Sequence, residues 1–366
     1  MCDIVLHPFD GPPPAFTEGE ARARGLGVSD DKVGIAMRLS LAFTGFGSIL
    51  ANLPAVHAAD ESGFDGIWYA EHIGNRDAVV PATVYLRETE HLELALMGVC
   101  SAGRHPGIAA MELASLAEIA PGRVRAAVGT GVPGMIAKLG KSVGRPVRDT
   151  IALHQSLRTA LAGGDLNVQQ PDYAFAQFKL NPLAAAPPLD IMAIRPRMID
   201  AAVRHADGLC LSAGSSRQYL AKTVAKVESA LAELGRPRDE FRITAVVAAF
   251  ITDDMAKARN QVAALLSTFD PATTEYLADG AIPEGALASA IASGGPFAAV
   301  PVFTPEVIDT IALVCPPEGL SEGLRRYADT GVDEVAITPF GPPQALPDLV
   351  RAMAAARPST LSSERS

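Results

Sequence analysis

An acid and an imidazole stand side by side at the end of an apolar run. Residues 64–78 read FDGIWYAEHIGNRDA, so the run GIWYA leads directly into Glu71 and His72. An imidazole titrates near neutrality and can give or take a proton in a hydride or oxygen reaction. Glu71 could orient His72 or bind a substrate. The alternative is structural: His72 would close a strand as a satisfied polar residue, and Glu71 would cap the next turn.

Glycines at the end of a later apolar run offer a place for a ligand to approach the backbone. The sequence VGTG contains Gly129, Thr130 and Gly131. Free N–H groups there could hold a phosphate. A lone GxG lacks the GxGxxG spacing of a dinucleotide-binding loop, and a tight turn would explain it equally well.

Arginine and hydroxyl groups follow two further runs. Arg195 comes directly after LDIMAI. The run GLCLSA ends in Ser212 and Ala213, and Gly214 follows it. Arginine, hydroxyls and backbone N–H groups at two neighbouring strand ends could form a phosphate site. Ser215 or Ser216 could instead cap a helix, and both interpretations can hold together.

The segment 104-RHPG-107 supplies another histidine. Pro106 suits the first turn of a helix, and we predict that His105 bonds a neighbouring backbone group and fixes the loop. The sequence contains no GxSxG nucleophile elbow, no HExxH and no other metal-ligand spacing, so we predict no metal site.

These residues need a scaffold that brings strand ends together. Short apolar runs alternate with segments in which apolar residues recur at helical spacing. The runs are 33–39, 65–70, 92–99, 123–129, 189–194, 208–213, 241–251 and 333–340. Near-continuous apolar strands imply a sheet covered on both faces, and strand–helix alternation implies parallel strands. We therefore predict an α/β fold, a (β/α)8 TIM-like barrel with insertions, with an open doubly wound sheet as the alternative. In a barrel the carboxyl ends of the strands carry the chemistry, which would place His72 at the mouth.

The predicted barrel spans residues 33–357. Two long inserts rich in Pro, Gly and Ala interrupt it, at about 163–188 and 270–303, and such inserts are often lids or interface pieces. Residues 1–32 are predicted to form an N-terminal arm, and residues 358–366 a flexible tail.

Composition argues against several classes of partner. The chain has 31 Lys+Arg against 41 Asp+Glu, a net charge of −10, whereas nucleic acid and anionic membranes need basic patches. We see no signal peptide and no run of 18 apolar residues. Four scattered cysteines without a CxxC pair suit a reducing compartment, so we predict a cytoplasmic protein.

Taken in order, the motifs resemble those of a known superfamily. The segments that carry the resemblance are GFDGIWYAEH, RDAVVPATVYLRET, LELALMGV, RHPGIAAMELASLAEIAPGRVRAAVGTG, PPLDIMAIRPRMIDAAVRHADGLCLSAG and GLRRYADTGVDEVAITPFG. They are similar to luciferase-like monooxygenases, and especially to the branch of methylenetetrahydromethanopterin reductases and F-420-dependent oxidoreductases. The resemblance covers roughly residues 33–345.

The resemblance implies a TIM-like barrel that binds coenzyme F-420, or alternatively FMN, at its carboxyl-end mouth. It implies a bulge with a non-proline cis peptide near Met97 and Gly98, behind the coenzyme ring. It places the coenzyme phosphate near the GxG of strand 4 and the ends of strands 5 and 6. The acid–imidazole pair, His72 and Glu71, would then face the ring and the substrate, with His72 carrying a proton.

Three functions follow from this resemblance. We predict hydride transfer between coenzyme F-420 and a small organic substrate. The alternative is a two-component monooxygenase, in which a separate flavin reductase supplies reduced FMN and a flavin peroxide attacks the substrate. A third is a binding or structural barrel without catalysis, motivated by two departures from the family pattern: Val132, where sugar-phosphate-oxidising relatives carry Glu, and Arg195, where Gly is common. Similar barrels are often homo-oligomers, so we predict a homodimer.

Overall fold

A computed structural model describes residues 37–358, apart from residues 101, 171, 172 and 182. The predicted arm, residues 1–32, lies outside the described residues, as does the predicted tail after its first residue. The arm and the tail therefore remain predictions.

The described strands are mostly parallel. They are β1 (Arg38–Thr44), β2 (Gly66–Ala70), β3 (Glu93–Val99), β4 (Val124–Val128), β5 (Leu166–Gln169), β6 (Ala174–Phe178), β7 (Leu189–Met192), β8 (Gly208–Leu211), β9 (Arg242–Ile251), β10 (Leu313–Cys315) and β11 (Glu334–Pro339). Eight of them pair in the ring order β1-β2-β3-β4-β7-β8-β9-β11, and β11 returns to β1. This closure confirms the predicted (β/α)8 barrel and excludes the open sheet. Strand β10 adds to β9 outside the ring, and β5 and β6 form a separate antiparallel hairpin.

Helices surround the ring. They are α1 (Leu53–Glu61), α2 (Val79–Glu88), α3 (Pro106–Ile119), α4 (Pro133–Ile136), α5 (Pro146–Leu161), α6 (Pro196–His205), α7 (Arg217–Glu233), α8 (Met255–Leu266), α9 (Pro271–Leu277), α10 (Ala286–Gly294), α11 (Pro305–Ile311), α12 (Leu320–Ala328) and α13 (Leu346–Ala355). Several begin with proline because the first helical N–H has no partner within the helix and its loss costs nothing. None of the described helices is both long and apolar enough to cross a membrane.

The predicted position of the first strand was wrong. Strand β1 starts at Arg38 and ends at Thr44, whereas the prediction placed it at 33–39. Its outward side chains are apolar, but Ser40 faces the lumen and is fully buried there. A polar residue inside a buried strand interrupts the apolar run, and the sequence pattern therefore ended too early.

Side chains alternate between the helix layer and the lumen of the barrel. The lumen holds a cluster of mostly small residues: Ala42, Trp68, Ala70, Ala95, Met97, Ala127, Cys210, Val246 and Ala336. Below it, the buried carboxylate of Glu334 accepts hydrogen bonds from Ser40, from Trp68 Nε1 at 3.0 Å and from Thr244 Oγ1 at 2.9 Å. The amino end of the lumen is therefore polar and the carboxyl end is lined by small side chains.

The two predicted inserts are structured. The β5–β6 hairpin packs its aromatic residues against the start of α3, where Phe175 and Phe178 crowd Gly107. Helix α10 and a 3-10 helix at Pro296–Val302 belong to a second apolar cluster with α8 and α11, whereas Leu277 of α9 packs in the main core. This second insert contacts the loop after β8, where the Ser216 N–H donates to the Leu277 carbonyl.

Candidate active site

Five neighbouring strand ends bring the predicted site residues onto one arc of the barrel mouth. Strands β2, β3, β4, β7 and β8 are consecutive in the ring. The N–H of Glu71 donates to the Met97 carbonyl at 3.0 Å, and the N–H of Gly129 donates to the Val99 carbonyl at 2.9 Å. We call this stretch of the mouth, from Glu71 on β2 to Gly214 after β8, the polar arc.

His72 lies on the lumen side of β2, two and four residues beyond Ala70 and Trp68. The exposed ring of Phe46 packs on its imidazole, with the ring centroids 4.7 Å apart and the planes at 35°. Nδ1 of His72 is buried and has no hydrogen-bond partner among the described residues. Burial lowers the pKa of His72, and the nearby Ala70 backbone opposes this more weakly. The imidazole is therefore neutral at pH 7 and able to accept a proton.

Glu71 points the other way, because successive residues of a strand face opposite sides. Its Oε2 lies 2.8 Å from Nη2 of Arg104 and accepts a hydrogen bond from the Ala78 N–H at 3.2 Å. Arg104 also pairs with Glu112 on α3 at 3.2 Å. Glu71 thus ties the tip of β2 to the segment after β3 and to the start of α2, and its place at the coenzyme ring stays a prediction.

The predicted bulge is present at the end of β3. The pairing of β3 with β4 shifts between Met97 and Val99, and Gly98 has φ of +95°. A Cβ at Gly98 would meet only the Glu71 carbonyl oxygen, at 3.7 Å, so the backbone conformation rather than crowding requires glycine. The described residues contain no cis peptide bond, so the predicted cis bond near Met97 is wrong. The positive φ of Gly98 makes the bulge without it.

The GTG sequence after β4 makes a tight turn. Gly131 has φ of +73°, and a Cβ there would come within 2.8 Å of the Ile136 side chain. Thr130 Oγ1 donates to the Gly131 carbonyl at 3.1 Å. Gly129 faces the Met192 side chain across the β4–β7 pair, where a Cβ would sit at 3.4 Å. The tight turn explains why residue 131 is glycine. Gly129 lies outside the turn and borders the lumen.

Arg195 precedes α6 at the end of β7. Its guanidinium carbon lies 3.8 Å from the centre of the Tyr276 ring, and Nη2 donates to the Ala272 carbonyl at 3.2 Å. Both partners belong to α9 of the second insert. The side chain is exposed overall, so it reaches across the rim and does not fill the lumen.

The loop after β8 is held by its own hydroxyl groups. Ser215 Oγ donates to the Ser212 carbonyl at 2.8 Å, and Ser216 Oγ accepts from the Tyr219 N–H at 3.1 Å. Ser216 is thus the N-cap of α7, which confirms the structural interpretation of that residue. Ala213 packs on the lumen cluster, and Gly214 turns the chain with φ of +85°.

His105 has the predicted structural role. Its Nδ1 accepts a hydrogen bond from the Gly107 N–H at 3.0 Å, so the proton of the neutral ring belongs on Nε2, which lies 3.3 Å from the Ala174 carbonyl. His105 caps α3 and holds the β5–β6 hairpin against it.

Sequence reasoning missed Phe46 and Tyr276. Phe46 sits in the sequence GFG directly after β1. An aromatic residue between glycines at a strand end is a signal, but the first strand was placed too early for it to be noticed. Tyr276 meets Arg195 across 81 residues, and no local pattern predicts such a contact.

A cavity of about 540 Å³ lies at the opposite, amino end of the barrel. Its arginines are already paired: Arg125 with Asp190 at 2.6 Å and Arg158 with Asp207 at 2.7 Å. In TIM barrels this end serves stability and the carboxyl end carries the chemistry. We therefore place the candidate site at the mouth, despite the size of the cavity below.

Apolar side chains line the carboxyl half of the lumen, among them Ala70, Trp68 and Met97, and Gly129 borders it beside Met192. The unpartnered Nδ1 of His72 is a buried polar atom that a bound group would satisfy. No group of three or more His, Cys, Asp or Glu side chains in the described part of the chain is arranged to hold a metal ion.

Comparisons with known proteins place this geometry in context. A family model described as luciferase-like monooxygenase matches residues 45–334. The chain is similar to 5,10-methylenetetrahydromethanopterin reductase of Archaeoglobus fulgidus, with 26% identity over 299 residues that cover 78% of this chain and 89% of that protein.

Solved structures share the fold. Coenzyme F-420-dependent tetrahydromethanopterin reductase from Methanopyrus kandleri matches with a TM-score of 0.75 at 19% identity, over 88% of this chain and 100% of that one. A monooxygenase from Streptomyces bottropensis matches with a TM-score of 0.69 at 19% identity, over 87% of this chain and 98% of that one.

Proposed function

This chain belongs to the luciferase-like monooxygenase family and is an oxidoreductase, and we propose that it uses coenzyme F-420 for hydride transfer to or from a small organic substrate. The observation that carries the proposal is His72, a neutral imidazole that faces the lumen with a buried nitrogen lacking a partner. The names of the similar reductases support F-420 as the coenzyme.

The polar arc would hold the coenzyme. We assign the bulge at Met97 and Gly98 to the ring, and the turns at Gly129–Gly131 and Ser212–Gly214 to the ribityl and phosphate groups. Arg195 donates one N–H to the Ala272 carbonyl. We propose that its remaining N–H groups donate to a phosphate of the coenzyme. The coenzyme, when bound, would accept or give the hydride.

His72 would move the proton that accompanies the hydride. In the oxidation direction, His72 would accept the O–H proton of an alcohol substrate, and the bound coenzyme would supply the acceptor for its C–H hydride, which would leave a carbonyl product. In the reduction direction, the protonated imidazole would return that proton to the carbonyl oxygen. Burial keeps His72 neutral at pH 7 and so favours its role as a base. Glu71, held by Arg104, would position the β2 tip that carries His72.

A two-component monooxygenase is the second candidate. The likeness to the monooxygenase from Streptomyces bottropensis favours it, and the barrel is shared by both kinds of enzyme. This function would require reduced FMN and a separate flavin reductase as a partner. A coenzyme-binding or structural barrel without catalysis is the third candidate, and binding without turnover would favour it.

An anaerobic titration with F-420 and with reduced FMN separates the first two candidates. Trp68, the only tryptophan, lies buried in the lumen beneath the mouth, so its fluorescence should report ring binding. Tight binding of F-420 alone would support hydride transfer. Tight binding of reduced FMN with rapid oxygen uptake on admitting air would support the monooxygenase. If neither coenzyme bound, the proposed function would fail.

We also propose that the protein is a cytoplasmic homodimer. Helix α3 exposes Ile108, Met111 and Ile119 along one face, with Ile108 50% and Met111 49% accessible. Large apolar side chains in a row are typical of an interaction surface. Light scattering measures the mass directly, and a mass of 38.1 kDa would contradict a dimer.

A further inference from the structure

The loops beside His72 carry an excess of positive charge. Three segments follow β2, β3 and β4 at the mouth: residues 71–78, 100–105 and 129–145. They hold five Lys and Arg residues against two acids, although the whole chain has a net charge of −10. Both acids are engaged, because Glu71 pairs with Arg104 at 2.8 Å and Asp77 Oδ1 accepts from the first N–H of α2 at 2.8 Å.

Three of the cations lack an acidic partner. Arg76, Lys138 and Lys141 form no ion pair with a carboxylate in the part of the chain that the structure describes. Arg76 and Lys138 are exposed, and Lys141 Nζ donates one hydrogen bond to the Ala102 carbonyl at 3.0 Å. We call Arg76, Lys138 and Lys141 the cationic rim.

The cationic rim lies close to the imidazole. Nζ of Lys138 is 3.9 Å from the place that a Cβ on Gly74 would occupy. Gly74 is two residues beyond His72, so the ammonium group lies on the order of 10 Å from the His72 backbone. The Arg76 N–H donates to the Gly45 carbonyl at 3.3 Å, next to the residue whose ring packs on His72.

A separate apolar cluster joins the three segments. Its members come from the loops after β2, β3 and β4: Ile73, Cys100, Ala102, Ile136 and Val143. The cluster keeps the backbones of the cationic rim together on the His72 side of the mouth. Across the ring from β3, strand β9 is followed by Asp253 and Asp254, so the acids of the mouth loops that are not held by a cation lie on the far side.

We propose that the substrate of this site carries an anionic group, a carboxylate or a phosphate, which the cationic rim binds while the reacting alcohol or carbonyl lies at His72. The proposal rests on the hydride-transfer function and names the charge class of its substrate. One exposed cation contributes little, but cations without acidic partners on one side of a cleft raise the local concentration of an anion. The coenzyme phosphate is the other source of such an anion, and the experiment distinguishes the two.

Two ketones test the charge preference: 6-oxoheptanoate and its methyl ester. They share the carbonyl group and the chain, and they differ in a single negative charge. Ligand-observed NMR measures both dissociation constants, first with the protein alone and then with F-420 present. We expect the acid to bind about tenfold more tightly than the ester at low salt. The difference should shrink at about 0.5 M salt, because salt screens exposed charges.

Matched variants locate the anion. The double variant Arg76→Gln/Lys138→Gln should bring the affinity for the acid to within about twofold of that for the ester, with ester binding unchanged. Lys226→Gln is the control, because Lys226 is an exposed lysine in the middle of α7 and should keep the wild-type preference.

The results separate this proposal from the proposed function. Equal affinities in the wild type, tighter binding of the ester, no measurable binding of the acid, or a preference that survives in the double variant would overturn the charge class. Weaker F-420 binding by the double variant with an unchanged preference for the acid would assign the rim to the coenzyme and also overturn it. Failure of the wild type to bind F-420 would instead overturn the coenzyme assignment, while the ketone comparison with the protein alone would still test the rim.

Discussion

Glu71 and His72 are neighbours in the chain, but the strand sends them to opposite sides of the barrel. Glu71 binds Arg104 and the Ala78 N–H on the helix side, while His72 meets Phe46 on the lumen side. One carboxylate oxygen of Glu71 makes both of these contacts, and the imidazole keeps an unpartnered nitrogen. We therefore assign the proton transfer of the proposed mechanism to His72.

Replacing His72 with alanine should lower kcat about 10²-fold or more and leave coenzyme affinity nearly unchanged. Since burial lowers the pKa of His72, the wild-type oxidation rate should rise with pH through a midpoint below the ordinary histidine value of about 6.5 and then level off. That limb should be absent from the variant. Initial rates from pH 5 to 9 measure it, with F-420 and an alcohol that the wild-type protein oxidises.

His91→Ala is the matched control for this substitution, because the His91 side chain is 75% exposed and precedes the amino end of β3, at the opposite end of the barrel from the mouth. Its rate and pH profile should equal those of the wild type. An unchanged kcat in His72→Ala would remove His72 from the mechanism.

At the scale of elements, helix α9 is fastened to two strand ends of the mouth. Arg195 lies on the Tyr276 ring and bonds the Ala272 carbonyl, and the Leu277 carbonyl accepts from the Ser216 N–H. The second insert therefore borders the site that we assign to the coenzyme phosphate, and it is bound to the barrel by specific contacts.

Arg195→Ala should raise the coenzyme dissociation constant about tenfold, because one charge-assisted contact to the phosphate is lost. The substrate KM should change little. Fluorescence titration measures the first and initial rates the second. Arg197→Ala is the control, because Arg197 is an exposed arginine in the first turn of α6, the helix that Arg195 precedes. A lower melting temperature with unchanged coenzyme affinity would show that Arg195 only fastens α9.

At the scale of the whole molecule, the polar end of the lumen joins strands that are far apart in sequence. Glu334 on the last ring strand accepts hydrogen bonds from Ser40 on the first, from Trp68 on the second and from Thr244 on β9. It is completely buried, and Arg242 lies 3.5 Å from its carboxylate. The closure of the barrel thus depends partly on one buried acid.

Removing that acid should destabilise the fold strongly. Glu334→Ala should lower the free energy of unfolding by about 3 kcal/mol or more, since it leaves the buried donors of Ser40, Trp68 and Thr244 without their acceptor. Urea unfolding followed by Trp68 fluorescence measures the shift in midpoint. Glu322→Ala, at an exposed acid on α12, should leave the unfolding midpoint nearly unchanged. Equal midpoints for the two variants would contradict this role of Glu334.

The sequence by itself determined the class of fold and the order of the site residues along the chain. Buried parallel strands need apolar side chains on both faces. Short runs of neighbouring residues, such as GIWYA and LELALMGV, show that pattern without any information from the rest of the chain. Strand ends could be read because polar and glycine residues follow each run. The first strand was misplaced because Ser40 faces the lumen and donates a hydrogen bond to Glu334. A local apolar pattern cannot indicate such a distant partner.

Only the tertiary structure decided which of these residues meet. The closure of the ring sets Phe46 on His72, Phe340 on Phe250 and Arg195 on Tyr276, contacts between segments from 26 to 90 residues apart. The alternation of side chains about a closed barrel also divided Glu71 from His72. Such contacts depend on strand pairing and on helix packing across the whole ring, and no spacing within one segment of the chain encodes them.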